Sequence, residues 1–442
     1  MLPSPTPASI RPSGIRWHIL ALVMALVCVS QFNRYTMAVA GNNRIMRDYR
    51  LSPTEMGNIY SAFVLVYSLC MIPGGLLIDR IGPRRALMLV GLGSALFGAL
   101  TGVAGWVCAS GAAIWLFLVW VRGAMGAVSA PLHPAGARAV GNWFPSHQRT
   151  LGNGLVTGAA LVGIASSYVG FSMVMRWIGW PWAFVWSAIV TTGLTLLWAL
   201  YATDLPVTHR QVNAAERQLV EGLPTIGSEP ARAAAPWLSL LRNRSLVFLT
   251  LSYAAVGYLQ YLVFYWIDYY FSHEMRLGPD LSKLYASIPT IGMAFTMPMG
   301  GWLADRLARR SGVRRGRAVV SGFGMVLCAG LFGLGLLADQ ANWKVTWFTL
   351  AFGALGLSEA PFWATAVDIG GRAGGTAAAI INTGGNVVGA IAPSLTPYVA
   401  QHWGWPAGLS LGGIICFLGG LCWWKIDPHP AAEDSRPAIS QP

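Results

Sequence analysis

The sequence predicts an all-α membrane protein with twelve transmembrane helices, arranged as two pseudo-symmetric six-helix halves. Three observations support this fold class: a low content of charged residues, regularly recurring apolar runs, and an internal repeat. Of the 442 residues, 55% are hydrophobic and only 11% are charged, whereas a soluble protein of this size carries about 25% charged residues. This composition argues against a soluble domain with a single membrane anchor.

Apolar runs of about 20 residues, the length that crosses the hydrocarbon core of a bilayer, recur twelve times. The first run is too long for a signal peptide and lacks a cleavage-like end, so we expect it to be retained. The predicted spans are residues 17–40, 56–78, 84–105, 112–140, 151–175, 182–203, 246–271, 284–304, 317–338, 345–369, 376–400 and 406–425.

A long polar segment separates the first six spans from the last six, and this division predicts the domain organisation. The predicted parts are an N-tail (1–16), an N-terminal six-helix half (17–203), a linker (204–245), a C-terminal six-helix half (246–425) and a C-tail (426–442).

The distribution of basic residues predicts the orientation. About 21 of the 30 Lys and Arg residues fall on the side that holds both termini and the linker, about 7 fall on the other side, and two lie inside spans. Because cytoplasmic loops are enriched in Lys and Arg, we predict that both termini are cytoplasmic. The cluster Arg309–Arg317 is expected to contact anionic lipid headgroups. Short basic clusters between apolar runs do not indicate nucleic-acid binding.

The two halves repeat each other in sequence. Gly74–Arg80 (GGLLIDR) recurs as Gly300–Arg306 (GGWLADR), and Thr157-Gly158 recurs as Thr383-Gly384 at the same offset. Parallel repeats of six helices place the binding site between the halves, near the middle of the membrane.

Two arginines lie inside the apolar runs, Arg34 in the first predicted span and Arg122 in the fourth. A guanidinium stays charged at every accessible pH, and burying one at the centre of a membrane helix costs about 2.5–3.5 kcal/mol. Such a cost persists where the arginine faces a polar cavity and meets an anion. The pattern predicts a carrier for an organic anion, with a structural ion pair as the alternative for Arg34.

The sequence also resembles the major facilitator superfamily over nearly its whole length. Gly74–Arg85 (GGLLIDRIGPRR) is similar to the loop motif of that superfamily between its second and third helices, and Gly300–Arg306 is a second copy. More narrowly, the chain resembles the anion:cation symporter branch, which includes sugar-acid carriers, aromatic-acid carriers and sialin-like proteins. The motifs behind this narrower resemblance are Asn33-Arg34 before Met37-Ala38-Val39-Ala40, Ser61-Ala62-Phe63 with Tyr67, Asn142-Trp143-Phe144-Pro145 with Arg149, and Asn382 and Asn386 with Gly389.

The resemblance implies a monomeric secondary active transporter in a bacterial-type inner membrane. Such a protein moves a small carboxylate-bearing metabolite, for example a sugar acid or an aromatic acid, by alternating access, with a proton or sodium ion driving import. Two departures from the family pattern concern coupling: Asn33 stands where relatives usually carry Asp, and Ser129 stands where many carry Glu. An anion exchanger or uniporter is therefore the main alternative, and a drug exporter of the same superfamily is another.

The predicted substrate-binding residues are Arg34 and Gln31 on one helix face, and Arg122 and Ser129 on another. Arg34 offers a planar fork of donors for a carboxylate, and Gln31 suits a substrate hydroxyl. Arg122 either binds substrate or pairs with Glu359. The other predicted binding residues are Tyr67, for which simple packing is the alternative, and Asn382 and Asn386, whose amides either join helices or contact the substrate.

Glu359 is the only acid well inside a predicted span, and it matches Ser129 through the internal repeat. It is predicted to be the coupling residue, or else a counter-charge to the arginines. The cytoplasmic charges Asp79, Arg80 and Arg84, with Asp305 and Arg306, are predicted to form a conformational latch between the halves.

The sequence does not indicate an enzyme or a resident cofactor. No segment fits the ATP-binding pattern GxxxxGK[ST], and no HExxH or Cys/His array suggests a metal site. The six cysteines contain no CxxC pair and are expected to be apolar packing residues.

Overall fold

A computed structural model describes residues 12–220, 240–370 and 374–427, and this part of the chain is helical, with no strand. Short π-helical turns follow three of the long helices, at Gly41–Ile45, Ser167–Phe171 and Tyr270–Glu274. In chain order the α-helices are α1 (Ile15–Ala40), α2 (Met46–Tyr49), α3 (Pro53–Leu69), α4 (Met71–Val107), α5 (Gly111–Ser129), α6 (Leu132–Trp143), α7 (Ser146–Ser166), α8 (Ser172–Tyr201), α9 (Ala214–Val220), α10 (Arg244–Tyr269), α11 (Pro279–Ser311), α12 (Val313–Leu337), α13 (Ala341–Gly370), α14 (Gly374–Gly389), α15 (Ala392–Trp403) and α16 (Trp405–Cys422).

These helices account for the twelve predicted crossings. Ten segments of the described chain are long and apolar enough to cross a membrane, when the bent pair Pro53–Leu69 and Met71–Ile78 is counted once. One of them, Leu151–Tyr201, has 51 residues, about 77 Å of helix and enough for two crossings. Gly179 breaks it with a φ of 79°. The polar but 33-residue helix α11 supplies the twelfth crossing.

The helix ends extend beyond the predicted apolar runs because polar residues continue several helices. Helix α11 covers Pro279–Ser311 where the sequence predicts 284–304, and α1 begins at Ile15, inside the predicted N-tail. At the start of α3, Ser52 and Glu55 form a reciprocal capping box ahead of the apolar run. Hydropathy therefore locates the crossings but underestimates their length.

The internal repeat is visible in how the helices of each half pack. In the first half, a Cβ added to Gly126 would lie 2.4 Å from the carbonyl oxygen of Phe63. In the second half, a Cβ added to Gly356 would lie 2.7 Å from the carbonyl oxygen of Met293. Both pairs are related by the same sequence offset, so equivalent glycines bring equivalent helices into backbone contact.

The two halves are hydrogen-bonded to each other at one end of the bundle. We call the side that holds Ser13, Asp204 and Ile426 the proximal side, and the opposite side the distal side. Among the described residues, the side-chain hydrogen bonds between the distal parts of the halves are Asn42 to the Tyr265 carbonyl (2.8 Å), Asn43 to Asp268 (2.8 Å), Lys283 to Asn43 (3.4 Å), Tyr168 to the Phe264 carbonyl (2.7 Å), Ser61 with Ser394 (2.8 Å), Thr54 to Gln401 (3.1 Å) and the exposed ion pair of Arg176 with Asp280.

The described part of the predicted linker, residues 204–220, docks on the N-terminal half. Glu216 in α9 is fully buried and accepts hydrogen bonds from the backbone amides of Ile15 and Arg16, both at 3.1 Å, and from the hydroxyl of Ser13. It thereby caps α1, whose own N-cap residue has no side chain to do so. Residues 221–239 and most of both predicted tails lie outside the described residues.

Candidate functional site

Arg34 lies in the C-terminal half of α1, six residues before the helix ends, and is surrounded by aromatic rings from both halves. Its side chain is 6% exposed. The guanidinium carbon lies 4.8 Å from the ring centre of Phe63, 5.1 Å from those of Tyr67 and Tyr261, and 5.3 Å from that of Tyr35. Cation–π contacts with four rings partly replace the hydration that the buried charge loses.

The hydrogen-bonding groups of Arg34 are not satisfied by these rings. Nε and Nη2 are buried and have no hydrogen-bond partner. In the described part of the chain Arg34 forms no ion pair, so the structural ion pair considered for it is absent from this conformation. These two nitrogens lie on the same edge of the guanidinium and present parallel N–H groups, which is the arrangement that a carboxylate accepts bidentately.

Arg122 in α5 performs a different task. Its Nη2 donates to the backbone carbonyl oxygen of Arg34 at 2.6 Å, and its Nη1 lies 3.1 Å from the sulfur of Met125. The guanidinium carbon is also 5.1 Å from the ring centre of Phe63. Arg122 forms no ion pair with Glu359 in this conformation. Its contacts hold α1 against α5 and position Arg34.

Gln31 and Ser129, the predicted hydroxyl-binding residues, are partly engaged within the protein. The amide nitrogen of Gln31 lies 2.8 Å from Nε2 of His133, while its amide oxygen is buried without a partner. The hydroxyl of Ser129 donates to the carbonyl of Met125 in its own helix at 2.7 Å. Gln31 therefore retains a free acceptor, whereas the proton of Ser129 is already used.

The neutral residue Asn33 does not face Arg34's aromatic surroundings. Its amide nitrogen donates to the hydroxyl of Thr191 at 2.7 Å, and its amide oxygen accepts from Ser187, both residues of α8. Asn33 is buried and joins α1 to α8. Asn33 has no titratable group, and both of its hydrogen-bond partners are neutral as well.

The C-terminal half contributes an amide ladder next to Arg34. The hydroxyl of Tyr261 donates to the amide oxygen of Asn386, whose nitrogen donates in turn to the side-chain oxygen of Asn382 at 2.9 Å. Since Tyr261 also contacts Arg34, this ladder links the two halves. The ring of Tyr67 stacks on Phe63, with centres 6.1 Å apart, so Tyr67 packs and also faces Arg34.

Glu359 in α13 forms a second polar centre. Its Oε1 accepts hydrogen bonds from the hydroxyl of Tyr253 at 2.7 Å and from the indole nitrogen of Trp363 at 3.2 Å. Its Oε2 is buried with no partner, and the residue is only 9% exposed. No described Lys or Arg forms an ion pair with it.

The predicted latch residues are not joined across the halves in this conformation. Arg80, Asp305 and Arg306 are exposed, and the side chain of Asp79 lies outside the described residues. The backbone amide of Arg84 donates to Asp204 at 2.8 Å, within the N-terminal half and its docked segment. Since the halves are bonded on the distal side here, charge pairing on the proximal side would require the opposite conformation.

Two tyrosines of the site, Tyr253 and Tyr261, were not identified from the sequence. They belong to a stripe on α10 that repeats every four residues, with Gly257 between them and Tyr265 after them. This periodicity puts all four on one helix face. Gly257 allows α10 to approach α14, since a Cβ there would lie 2.3 Å from a carbonyl oxygen. This four-residue repeat is the feature of the sequence from which the two tyrosines could have been predicted.

The chain is similar to transporters in sequence and in fold. The sequence model of the Major Facilitator Superfamily matches residues 23–393. The probable sulfoacetate transporter of Cupriavidus necator is 28% identical, with 93% of this chain and 94% of the relative covered. The D-galactonate transporter of Escherichia coli is 25% identical (93% and 95% covered), and the probable galactarate/D-glucarate transporter of Bacillus subtilis is 27% identical (93% and 91%).

Solved structures with the same fold include a bacterial homolog to the human lysosomal transporter Spinster. In its inward-facing, occupied conformation it gives a TM-score of 0.72 at 13% identity, with 93% of this chain and 97% of that chain covered. In its inward-facing, unoccupied conformation the TM-score is 0.73 at 14% identity, with 95% and 99% covered. The chain belongs to the Major Facilitator Superfamily, and it is a membrane transporter rather than an enzyme.

Proposed function

We propose that this protein is a secondary transporter that imports a small organic anion, such as a sugar acid or an aromatic acid, by alternating access. The observation that carries the proposal is Arg34, a buried guanidinium with two unpartnered N–H groups on one edge. Leaving a charged donor pair unsatisfied is costly, and a carboxylate or sulfonate satisfies both nitrogens at once. The relatives named above carry anionic substrates in their names, which agrees with this choice.

The surroundings of Arg34 suit a polar or planar substrate body. Tyr67 and Phe63 present ring faces, the free amide oxygen of Gln31 accepts from a hydroxyl, and Asn382 lies at the end of the amide ladder. We therefore keep Arg34, Gln31, Tyr67, Asn382 and Asn386 as substrate-binding residues. Ser129 contributes only as an acceptor, and we assign Arg122 to positioning Arg34.

Proton coupling is proposed for Glu359. The two positions where relatives usually carry acids are Asn33 and Ser129, both neutral here and both already hydrogen-bonded. Glu359 is a buried acid in α13, and its Oε2 is free to carry a proton. Protonation neutralises the unpaired carboxylate of Glu359 in a low-dielectric site. Binding of the anionic substrate and binding of the proton would therefore each make the free energy of the other more favourable.

The direction of access follows from the hydrogen bonds between the halves. They close the distal side, so the conformation described here would admit substrate from the proximal side, which the charge distribution predicts to be the cytoplasm. In the opposite conformation, we propose that Asp79, Arg80 and Arg84 meet Asp305 and Arg306 and close the proximal side. This proposal also includes the predicted residue boundaries of the halves, tails and linker, and a monomeric state.

Anion exchange is the second candidate, and the neutral residues at 33 and 129 favour it. The experiment that separates the candidates uses purified protein in liposomes that are either empty or loaded with galactonate, sulfoacetate or benzoate. Uptake of a labelled acid driven by an imposed proton gradient into empty liposomes supports symport. Uptake that needs an internal anion and ignores the gradient supports exchange, and transport of none of these acids under either condition contradicts the proposal.

A further inference from the structure

Arg34 and Glu359 are buried, carry opposite charges and do not pair with each other. Arg34 belongs to the N-terminal half and Glu359 to the C-terminal half, and each keeps unpartnered polar atoms: Nε and Nη2 on the arginine, Oε2 on the glutamate. A buried charge without a partner is expensive, so two of them in one region call for a ligand that satisfies both.

The positions of two tyrosines on α10 indicate how far apart these charges are. Tyr261 contacts Arg34, and Tyr253 donates to Glu359. The two tyrosines are about two turns apart on one helix face, so the backbone positions from which they contact the two charged groups are about 12 Å apart along the helix axis. The pair Asn386–Asn382 runs one helical turn along α14 beside this interval.

The carboxylate of Glu359 has one hydrogen-bonded oxygen and one buried oxygen without a partner. Its carboxylate lies beside two electron-rich rings, Tyr253 and Trp363, whose centres are 5.7 Å apart, and Phe362 lies 5.1 Å from Tyr253. The tyrosine hydroxyl and the indole N–H both donate to Oε1, so a primary ammonium would bind this carboxylate through a charged hydrogen bond to its other oxygen. The free Oε2 supplies the acceptor for that hydrogen bond.

We propose that the site accepts zwitterionic ω-amino acids, with the carboxylate on Arg34 and the ammonium on Glu359. This inference rests on the proposed function, because it uses the same arginine as the anion site. The ammonium takes the place that we assign to the coupling proton, so the loaded site carries the same net charge in both cases. A dicarboxylate is disfavoured, because its second anionic group meets Glu359.

The length of the ligand follows from the spacing. An extended 6-aminohexanoate separates its nitrogen from its carboxyl carbon by about 7.5 Å, and a charged hydrogen bond of about 2.8 Å at each end brings the total near the available span. Glycine carries the same two groups at a separation too short to reach both residues.

The test is a set of binding measurements by calorimetry on the purified full-length protein in nanodiscs. The probes are 6-aminohexanoate, 6-hydroxyhexanoate and adipate, which share one carbon chain and differ in the charge of the distal group. We expect the wild type to bind 6-aminohexanoate at least about tenfold more tightly than either of the others. The Glu359→Gln variant should bring the ratio of the first two affinities towards one, whereas Glu359→Asp should keep part of the preference.

The outcomes separate this inference from the proposed function. If the wild type binds 6-hydroxyhexanoate or adipate as tightly as 6-aminohexanoate, the ammonium subsite is refuted while anion binding at Arg34 stands. An unchanged ratio in Glu359→Gln refutes it equally. If no carboxylate in the set, nor galactonate, sulfoacetate or benzoate, binds to the wild type, the proposed function fails and this inference fails with it.

Discussion

The guanidinium of Arg122 donates to the backbone carbonyl of Arg34 at 2.6 Å, so one membrane-embedded arginine holds the helix that carries the other. The two residues look alike in the sequence, since each is a lone arginine in an apolar run. Their contacts divide the tasks: both terminal nitrogens of Arg122 contact the protein, whereas Arg34 leaves Nε and Nη2 without a partner and available to a ligand. This division has measurable consequences for stability.

The first prediction is a contrast between two alanine variants. Arg122→Ala removes a charge-assisted hydrogen bond and should destabilise the protein by about 1.5–3 kcal/mol. Arg34→Ala removes a buried charge whose Nε and Nη2 have no hydrogen-bond partner, so it should leave stability unchanged or raise it. Thermal unfolding of the purified variants in detergent measures both. Equal losses of stability in the two variants would contradict the division of tasks.

The second prediction concerns closure of the distal side. Asn43 donates to the carboxylate of Asp268 across the halves, so a short bifunctional thiol reagent that joins cysteines at these two positions should stop transport. The background would lack the six native cysteines. The matched control joins positions 33 and 191, which are hydrogen-bonded within one half, and should still transport. Undiminished transport in the Asn43–Asp268 cross-link would show that this contact does not open during the cycle.

The third prediction concerns Glu359 as the coupling residue. Glu359→Gln keeps a hydrogen-bonding group but cannot exchange a proton, so it should lose accumulation of a plain carboxylate against its gradient. Exchange of internal for external substrate does not require net proton movement and should persist. Proton-driven accumulation by the variant would remove Glu359 from the coupling mechanism, and gradient-independent transport by the wild type would support exchange instead.

The fourth prediction concerns the contact between α9 and α1. Burial raises the pKa of Glu216, but hydrogen bonds from Ser13 and the backbone amides of Arg16 and Ile15 lower it below its ordinary value overall. A lowered pKa means that this stabilisation is fully present above about pH 4.3 and is lost as the pH falls through the folded-state pKa. Glu216→Gln should weaken the contact by about 0.5–2 kcal/mol at neutral pH.

Hydrogen exchange of residues 214–220 and of the first turn of α1 measures this contact. The matched control is Glu55→Gln, which disturbs the capping box of α3 on the other side of the protein. Faster exchange in both variants alike, or in neither, would show that Glu216 does not hold the two segments together.

Much of the fold could be predicted from the sequence, because hydropathy and the internal repeat act over whole helices. The twelve crossings and the pairing of the halves follow from such long-range patterns. The helix ends could not be predicted, because polar residues extend a helix beyond its apolar run, as at both ends of Pro279–Ser311. The docking of Glu216 on α1 depends on a contact between positions 200 residues apart, which no local pattern reveals.

The candidate site was predicted in part. Arg34 stands out because an unneutralised charge is rare in an apolar run, and the structure leaves its donors unsatisfied. Asn33 points towards α8, and Arg122 points towards a backbone carbonyl. Both orientations depend on the rotation of the helices about their axes, which the sequence alone does not specify. Tyr253 and Tyr261 were overlooked because aromatic residues are common in membrane helices, where they usually report packing.

Two parallel hydrogen bonds from Arg34 are proposed to hold the anion, and the Arg34→Lys variant is the sharpest test of them. Lysine keeps the charge but lacks the planar fork, and losing a charged hydrogen bond costs about 1.5–3 kcal/mol. We predict that the affinity of the best-bound acid, measured by calorimetry on the folded variant, falls by about tenfold or more. Wild-type affinity in Arg34→Lys and in Arg34→Ala would show that the arginine does not bind the substrate.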